Sequence, residues 1–169
     1  MKGTYFLGNG EFETREMPEH KLAGNEVLLK VAACGVCGTD VHIYHGDKGS
    51  AEVTPPVVLG HELAGTVVEV GADVKKLKVG DRVAVDPNSY CGECHYCRIG
   101  KKQLCTNLYA VGVNRDGGFA EYCVIPARAV QGGNVAVLDD NVSFTEAAIN
   151  EPLSCVCNGF ERCNIHPGD

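Results

Sequence analysis

The amino-acid sequence predicts a mainly β domain with a few helices near its carboxyl-terminal end. Short apolar runs rich in β-branched residues, mainly Val, recur between turn signals along the first 126 residues. Regular spacing of short strands favours a closed or partly closed all-β barrel. The chain has 169 residues, of which 44% are hydrophobic, so it is long enough to bury one substantial core.

Five segments carry the strand pattern. In chain order they are residues 1–7 (MKGTYFL), 26–34 (EVLLKVAAC), 63–71 (LAGTVVEVG), 81–85 (DRVAV) and 119–126 (FAEYCVIP). β-Branched and aromatic residues suit a pleated, half-buried surface. The glycines between these segments permit turns and close backbone approach.

Helices are predicted from residue 143 onward. Ser143 is followed three residues later by Glu146, which is a capping-box pattern. A second helix start lies at Asn150, with Pro152 just inside it. We expect a helical segment over about residues 143–166, and the closing NIHPGD indicates a turn that leads into another element.

The charge pattern argues against several function classes. A formal net charge of −7 without a basic stripe does not suit a nucleic-acid partner. The sequence shows neither an export signal nor an apolar run of membrane-spanning length, so we expect a cytoplasmic protein without a membrane partner. In a reducing compartment, clustered cysteines more often hold a metal than form disulfides.

Four cysteines form a metal-binding motif, CxxCxxCx7C, with the ligands Cys91, Cys94, Cys97 and Cys105. Two-residue spacers let a looping backbone turn successive thiolates toward one zinc ion. A disulfide pair and a thioredoxin-like redox pair are the alternatives, and the spacing favours zinc over both. Four protein ligands close the coordination sphere, so we expect a structural site in a lobe over about residues 88–110.

Catalytic chemistry is expected at a second, dispersed set of residues. Cys37, His61 and Glu151 offer a thiolate, an imidazole and a carboxylate from three distant segments. Mixed ligands with an open fourth position are typical of a catalytic zinc. Each residue alone is weak support, because a lone Cys is usually a buried small hydrophobe.

The motif order carries a family resemblance. The chain contains CGVCGTDVH, PPVVLGHELAGTVVEVG, GDRVAVDP, the four-cysteine loop, DGGFAEYCVIP and EPL in this order. This order resembles the zinc-dependent medium-chain alcohol and polyol dehydrogenases, on their sorbitol dehydrogenase-like side. The resemblance implies that residues 1–169 form the GroES-like catalytic domain, a partly open β-barrel with a zinc-binding lobe.

The resemblance also implies a ligand set for the catalytic zinc. Cys37 matches the thiolate ligand and His61 the imidazole ligand. Glu62 matches a carboxylate that binds the metal directly in some members or exchanges with water. Glu151 stands where the polyol branch has a glutamate, as a ligand or as a hydrogen-bond partner of metal-bound water, and Cys155 four residues later is the alternative ligand.

Three further roles follow from the same match. Asp40 resembles the carboxylate that holds a ligand imidazole in one tautomer. Thr39 and His42 match the hydroxyl and imidazole of a proton relay. In the implied mechanism, zinc lowers the pKa of the substrate hydroxyl, the proton leaves through Thr39 and His42 or water, and the alkoxide passes a hydride to NAD or NADP.

The sequence departs from the family pattern at three points, one of which is Gly38, where some relatives carry a basic residue that faces the cofactor phosphates. It has no GxGxxG opening a βαβ unit, so a Rossmann domain is absent from this chain, which alone should be inactive. In addition, ARAVQGGNVAVLDDN, residues 127–141, differs from the proline-containing turn common in relatives. When complete, such a protein is expected to be a homo-oligomer, a dimer or a tetramer.

Three substrates and one other function class remain open. A secondary alcohol of the polyol or sugar-alcohol type is the first hypothesis, since EPL favours the polyol branch. Threonine and butanediol are the alternatives. A non-catalytic, zinc-stabilised GroES-like binding module is the hypothesis of another class, and it predicts one structural metal and no open site.

Overall fold

A computed structural model describes residues 1–47 and 51–163 of the chain. Within these ranges the strands are β1 (Lys2–Gly8), β2 (Glu11–Glu16), β3 (Val27–Gly35), β4 (Val57–Val58), β5 (Glu62–Val70), β6 (Arg82–Val85), β7 (Asn88–Ser89), β8 (Tyr109–Ala110), β9 (Tyr122–Ile125) and β10 (Val135–Val137). The helices are α1 (Gly38–His45), α2 (His95–Arg98), α3 (Ala127–Gly132), α4 (Phe144–Ala148) and α5 (Asn150–Cys163), with a 3-10 helix at Lys102–Leu104. Each of the five predicted strand segments contains a strand, which confirms the mainly β class.

The strands form three antiparallel sheets. The largest has the order β10-β6-β5-β3-β9, a second has the order β2-β1-β4, and β7 pairs with β8. None of these sheets closes on itself within the described residues. The expectation of a partly open barrel is therefore confirmed, and the alternative of a closed barrel is wrong.

The main core lies against the five-stranded sheet. Val27 and Leu29, two residues apart on β3, are both fully buried. They pack in one cluster with Leu63 and Val67 of β5 and with Ile125 of β9. Side chains two apart on a strand share one face, so the Val-rich runs place their apolar residues on the inner face of the sheet.

The predicted capping box is present at the start of α4. Ser143 donates its backbone N–H to Glu146 Oε2 at 2.9 Å, and the Glu146 N–H is donated to Ser143 Oγ at 3.2 Å. Helix α5 begins at Asn150, as predicted, and extends to Cys163. The remaining part of the predicted helical segment and the PGD turn lie outside the described residues. No helix in the described ranges is long and apolar enough to cross a membrane.

Candidate metal centres

The four cysteines of the loop come together as the spacing predicts. Their sulfur atoms all lie within 4.8 Å of one another. Cys91 Sγ lies 3.9 Å from Cys97 Sγ, and Cys94 Sγ lies 4.0 Å from Cys105 Sγ. Tetrahedral zinc with bonds of about 2.3 Å requires sulfur separations of roughly 3.8 Å. Disulfide sulfurs would be only about 2.05 Å apart, so the geometry fits a metal and not disulfides.

Backbone N–H groups point at these sulfurs. Cys105 Sγ accepts hydrogen bonds from the N–H of Cys91 at 3.2 Å and of Asn107 at 3.4 Å, and Cys91 Sγ accepts one from the N–H of Cys94 at 3.3 Å. Such bonds favour the thiolate form, which is the form that binds metal. The N–H groups of Cys97 and Thr106 lower the pKa of the Cys94 thiol to about 5.

The second centre forms where β3 meets α1 and β5 begins. One ligand atom from each of Cys37, His61 and Glu62 lies within 4.8 Å of the other two. Gly35 and Glu62 are Cα partners in the β3–β5 ladder, and Cys37 follows as the N-cap of α1. A Cβ on Gly35 would collide with Glu62 Oε2, so the missing side chain leaves room for the carboxylate.

Asp40 lies behind this group and is 4% exposed. Its Oδ2 accepts the backbone N–H of Cys37 at 2.9 Å, while its Oδ1 lies 3.8 Å from His61 Nδ1. Burial raises the pKa of the Asp40 carboxyl, and the N–H of Cys37 and then the charge of His61 oppose that rise. The carboxylate therefore lies beside the imidazole, and its role in orienting that ring stays a prediction.

Glu151 and Cys155 lie near this group but outside it. They sit on α5, with Cys155 Sγ 4.0 Å from Glu151 Oε1. Both line a groove of about 840 Å³ between α5 and the cysteine lobe, to which Cys37, His61 and Glu62 do not contribute. Burial raises the pKa of the Glu151 carboxyl, while the charge of His61 lowers it. A direct bond from Glu151 to the metal remains a prediction.

The two proposed relay residues differ in their surroundings. Thr39 Oγ1 lies 3.7 Å from Cys37 Sγ, next to the second centre. The His42 side chain is 67% exposed, and its Nδ1 lies 3.3 Å from Asp47 Oδ2. Thr39 is thus placed to take a proton inside the site and His42 to meet solvent, and the relay itself stays a prediction.

Comparison with known proteins identifies the family. The model of the alcohol dehydrogenase GroES-like domain matches residues 23–132. The chain belongs to this GroES-like domain family. The zinc-dependent medium-chain alcohol dehydrogenase family and the GroES-like fold predicted from the motifs are thereby confirmed.

Individual relatives agree with that assignment. This GroES-like domain is similar to L-threonine 3-dehydrogenase of Escherichia fergusonii, with 46% identity over 82% of this chain and 39% of the relative. Among solved structures, the short chain alcohol dehydrogenase of Escherichia coli CFT073 complexed with NADH has 37% identity and a TM-score of 0.82, over 96% of this chain and 45% of that chain. Galactitol-1-phosphate dehydrogenase of Escherichia coli has 32% identity and a TM-score of 0.84, over 97% and 45%. The GroES-like domain therefore spans less than half the length of these relatives.

The residues of the second centre fit the zinc of this family. Cys37, His61 and Glu62 can offer sulfur, nitrogen and oxygen, which are the donor types that zinc takes, and three such ligands would leave one tetrahedral position open. Within the described residues, the buried atoms Asp40 Oδ1 and His61 Nδ1 have no hydrogen-bond partner. A ligated imidazole held by that carboxylate would remove both unsatisfied groups.

Two neighbouring residues complete the description of the second centre in this GroES-like domain. Burial raises the pKa of the Cys34 thiol to about 12, with further rises from Asp40 and Glu62, so Cys34 remains protonated. A protonated thiol is a poor metal ligand, because the thiolate is the form that binds metal. Sequence reasoning missed Gly35, although a glycine at a strand end, two residues before a ligand cysteine, could have indicated a close approach.

Proposed function

We propose that this GroES-like domain is the zinc-binding catalytic part of an NAD(P)-dependent dehydrogenase that oxidises a secondary alcohol. The observation that carries the proposal is the mixed group of Cys37, His61 and Glu62, whose ligand atoms lie within 4.8 Å of one another, with Asp40 behind it. The structural relative complexed with NADH supports a nicotinamide cofactor. The sequence of this chain has no GxGxxG fingerprint and spans less than half the length of these relatives, so cofactor binding is proposed for a longer protein that joins this chain to a dinucleotide-binding domain.

The chain's own residues have distinct roles in the proposed reaction. Zinc at the second centre would supply Lewis-acid activation of the substrate hydroxyl. Asp40 orients the His61 imidazole and keeps its metal-binding nitrogen available. The Thr39 hydroxyl takes the proton of the substrate as it releases its own proton to water or to His42, whose exposed imidazole passes a proton to solvent. The half-buried Glu151 carboxyl lines the groove beside this group and can accept a hydrogen bond from a bound hydroxyl.

The proposed substrate class is a secondary alcohol whose neighbouring carbon carries a second polar group. L-Threonine is the first candidate, because the Escherichia fergusonii relative is 46% identical over most of this chain. A polyol is the second candidate, supported by Glu151 in EPL and by the likeness to galactitol-1-phosphate dehydrogenase. Butanediol, the third substrate expected from the motifs, belongs to the same chemical class.

Metal analysis tests directly whether the group of Cys37, His61 and Glu62 binds zinc. We expect the purified chain to bind two zinc ions, one of which is lost in Cys37→Ser and the other in Cys97→Ser. A single zinc that is insensitive to Cys37→Ser would instead favour the non-catalytic binding module. The longer protein is then assayed with L-threonine, galactitol and 2,3-butanediol, with NAD and with NADP, by the absorbance of the reduced nicotinamide. No turnover of any secondary alcohol would refute the enzymatic proposal.

The cellular setting is part of the same proposal. All ten cysteines are free of disulfide bonds, which supports a reducing compartment such as the cytoplasm. Assembly into a homo-oligomer concerns the longer protein and stays a prediction, and size-exclusion chromatography with light scattering would test it.

A further inference from the structure

Arg128 of α3 lies outside the cysteine loop but contacts both of its ends. Its Nε donates to the backbone carbonyl of Tyr90 at 2.6 Å, and its Nη2 donates to the carbonyl of Asn107 at 2.7 Å. The guanidinium also lies over the ring of Tyr109, 4.9 Å from its centroid. A planar, permanently charged fork with several donors is suited to holding two carbonyls in one geometry.

The two carbonyls flank the metal-binding sulfurs in sequence. Tyr90 immediately precedes Cys91, and Asn107 lies two residues after Cys105. One side chain therefore joins the point where the loop begins to the point where it ends. Closing a loop in this way limits the ways in which its sulfurs can move apart.

The same contacts reach one sulfur through the backbone. The peptide group whose carbonyl accepts from Arg128 is the one whose N–H, that of Cys91, donates to Cys105 Sγ at 3.2 Å. The second N–H donated to this sulfur, at 3.4 Å, belongs to Asn107, and Arg128 holds the next peptide group through the Asn107 carbonyl, so it positions this N–H without polarising it. A cation on the carbonyl side of a peptide polarises its N–H and strengthens the hydrogen bond that it donates.

The segment around Arg128 is anchored to the lobe as well. Tyr90 Oη donates to the carbonyl of Gly132 at 3.2 Å, and Asn134 Nδ2 donates to the carbonyl of Asn88 at 2.8 Å. Gly132 and Asn134 both lie in residues 127–141, the stretch that departs from the turn common in relatives. This stretch packs against β7 and the start of the lobe, so Arg128 is held in place rather than reaching in from solvent.

We propose that Arg128 is a positioning residue for the four-cysteine metal site. It joins the two ends of the loop, orients two N–H donors on Cys105 and thereby slows the loss of the metal. The inference rests on the proposed zinc site, but it assigns to that site a residue that is not one of its ligands. Residues that orient metal ligands typically change metal affinity by about 10- to 100-fold when they are replaced.

The test measures metal retention in the whole 169-residue chain. All variants carry Cys37→Ser, which removes a ligand of the second centre, and are loaded with cobalt(II), whose visible absorption bands report tetrahedral thiolate ligation. Loss of the metal to an excess of chelator is followed at these bands. We expect Arg128→Ala to lose cobalt at least about 10-fold faster than the parent, and Arg128→Lys, which keeps the charge and one donor, to fall between them.

Arg82 offers a matched control. Its guanidinium donates to the carbonyls of Asp140 at 3.2 Å and of Val142 at 2.5 Å, and it lies over the ring of Phe144. It is therefore the same kind of carbonyl clamp, but away from the cysteine loop. Arg82→Ala should lower stability to urea while leaving cobalt loss unchanged.

Three outcomes would overturn the inference. The first is an Arg128→Ala rate equal to that of the parent. The second is an acceleration that Arg82→Ala reproduces at equal loss of stability. The third is that Cys97→Ser leaves cobalt binding by the parent unchanged, which would show that the four cysteines do not form the metal site. If Arg128→Ala does not fold, Arg128→Lys and Arg128→Gln decide, since unchanged rates in both would refute the role. The two proposals can also fail separately. If cobalt retention depends on Arg128 but the longer protein oxidises no alcohol, only the proposed function is refuted.

Discussion

Asp40 Oδ1 lies 3.8 Å from His61 Nδ1, and both atoms are buried without a hydrogen-bond partner among the described residues. The other carboxylate oxygen of Asp40 is held by the N–H of Cys37 at 2.9 Å. A shift of about 1 Å would bring the carboxylate and the imidazole into hydrogen-bond distance. Because an unpaired buried polar group costs free energy, binding of a metal by the opposite imidazole nitrogen would favour that shift.

Replacing Asp40 should weaken the second centre without disturbing the first. In Asp40→Asn we expect the zinc affinity of the Cys37–His61–Glu62 group to fall by about 10-fold or more, because the imidazole loses its charged acceptor. A competition titration with a chromogenic chelator in a Cys97→Ser background measures this affinity. Asp47→Asn, which changes the exposed partner of His42, is the control and should bind zinc as the parent does. Equal affinity in Asp40→Asn and Asp47→Asn would contradict the assignment of Asp40.

Two glycines near Cys37 should respond differently to alanine. Gly35→Ala introduces a Cβ that collides with Glu62 Oε2, whereas a Cβ on Gly38 meets no atom within 4 Å. We expect Gly35→Ala to destabilise the fold by about 1–3 kcal/mol and to weaken metal binding at the second centre. Gly38→Ala should leave both unchanged or stabilise slightly. Urea unfolding and metal content are measured on both variants. Equal stability and equal metal content in Gly35→Ala and Gly38→Ala would refute the role given to Gly35.

The thiols should divide sharply in their reactivity. Burial raises the pKa of the Cys34 and Cys123 thiols to about 12, so at neutral pH they lack the reactive thiolate. The three cysteines of α5, Cys155, Cys157 and Cys163, are exposed. Brief alkylation of the native zinc-loaded chain, followed by mass spectrometry, should label the α5 cysteines at least about 10-fold faster than Cys34 and Cys123. Labelling after denaturation serves as the control, and equal native rates would contradict the raised pKa of these two thiols.

Acid should remove one specific source of stability. Lys78 donates its Nζ to Asp81 Oδ1 at 2.6 Å and its backbone N–H to Oδ2 at 2.9 Å, and these bonds lower the pKa of Asp81. The folded pKa is below the unfolded value of about 3.9. The stabilisation is therefore present above that value and is lost as the pH falls toward the folded pKa. Asp81→Asn should be less stable than the parent in urea at pH 7, and the difference should shrink below about pH 4.

An exposed carboxylate on β2 provides the control for that measurement. The Glu11 side chain is exposed, and Glu11→Gln should follow the unfolding curve of the parent across the same pH range. A constant gap between Asp81→Asn and the parent from pH 7 to pH 3 would show that the pair with Lys78 does not contribute in this way.

Local patterns in the sequence predicted the local structure well. The Val-rich runs gave the central strands because alternate side chains are buried against one core. The Ser143–Glu146 capping box and the cysteine loop were also predictable, because their residues lie close together in the sequence. Helix α1 was not predicted, since Thr39, Val41 and Ile43 alternate as they would in a strand. The structure makes this segment helical through the Asp40 contact at its start and through Gly46, with φ of 82°, at its end.

The second centre depends on contacts that no local pattern contains. Residue matching singled out Cys37, His61, Glu62 and Asp40, which lie close together in the structure. It did not indicate how far Glu151 lies from these residues, because the position of α5 against the sheet is set by packing between distant segments. It also gave no role to Arg128, whose partners Tyr90 and Asn107 are backbone carbonyls and leave no signal in their side chains.

The two centres also differ in when they can form. The ligands of the cysteine loop lie within 15 residues, so the entropy of closing the loop is modest and a short peptide can reach the required geometry quickly. The second centre needs the long-range pairing of β3 with β5, which brings Gly35 opposite Glu62. Contacts between distant segments form slowly. The loop can therefore bind zinc while the five-stranded sheet is still incomplete, whereas zinc uptake at Cys37 and His61 would report that β3 has paired with β5.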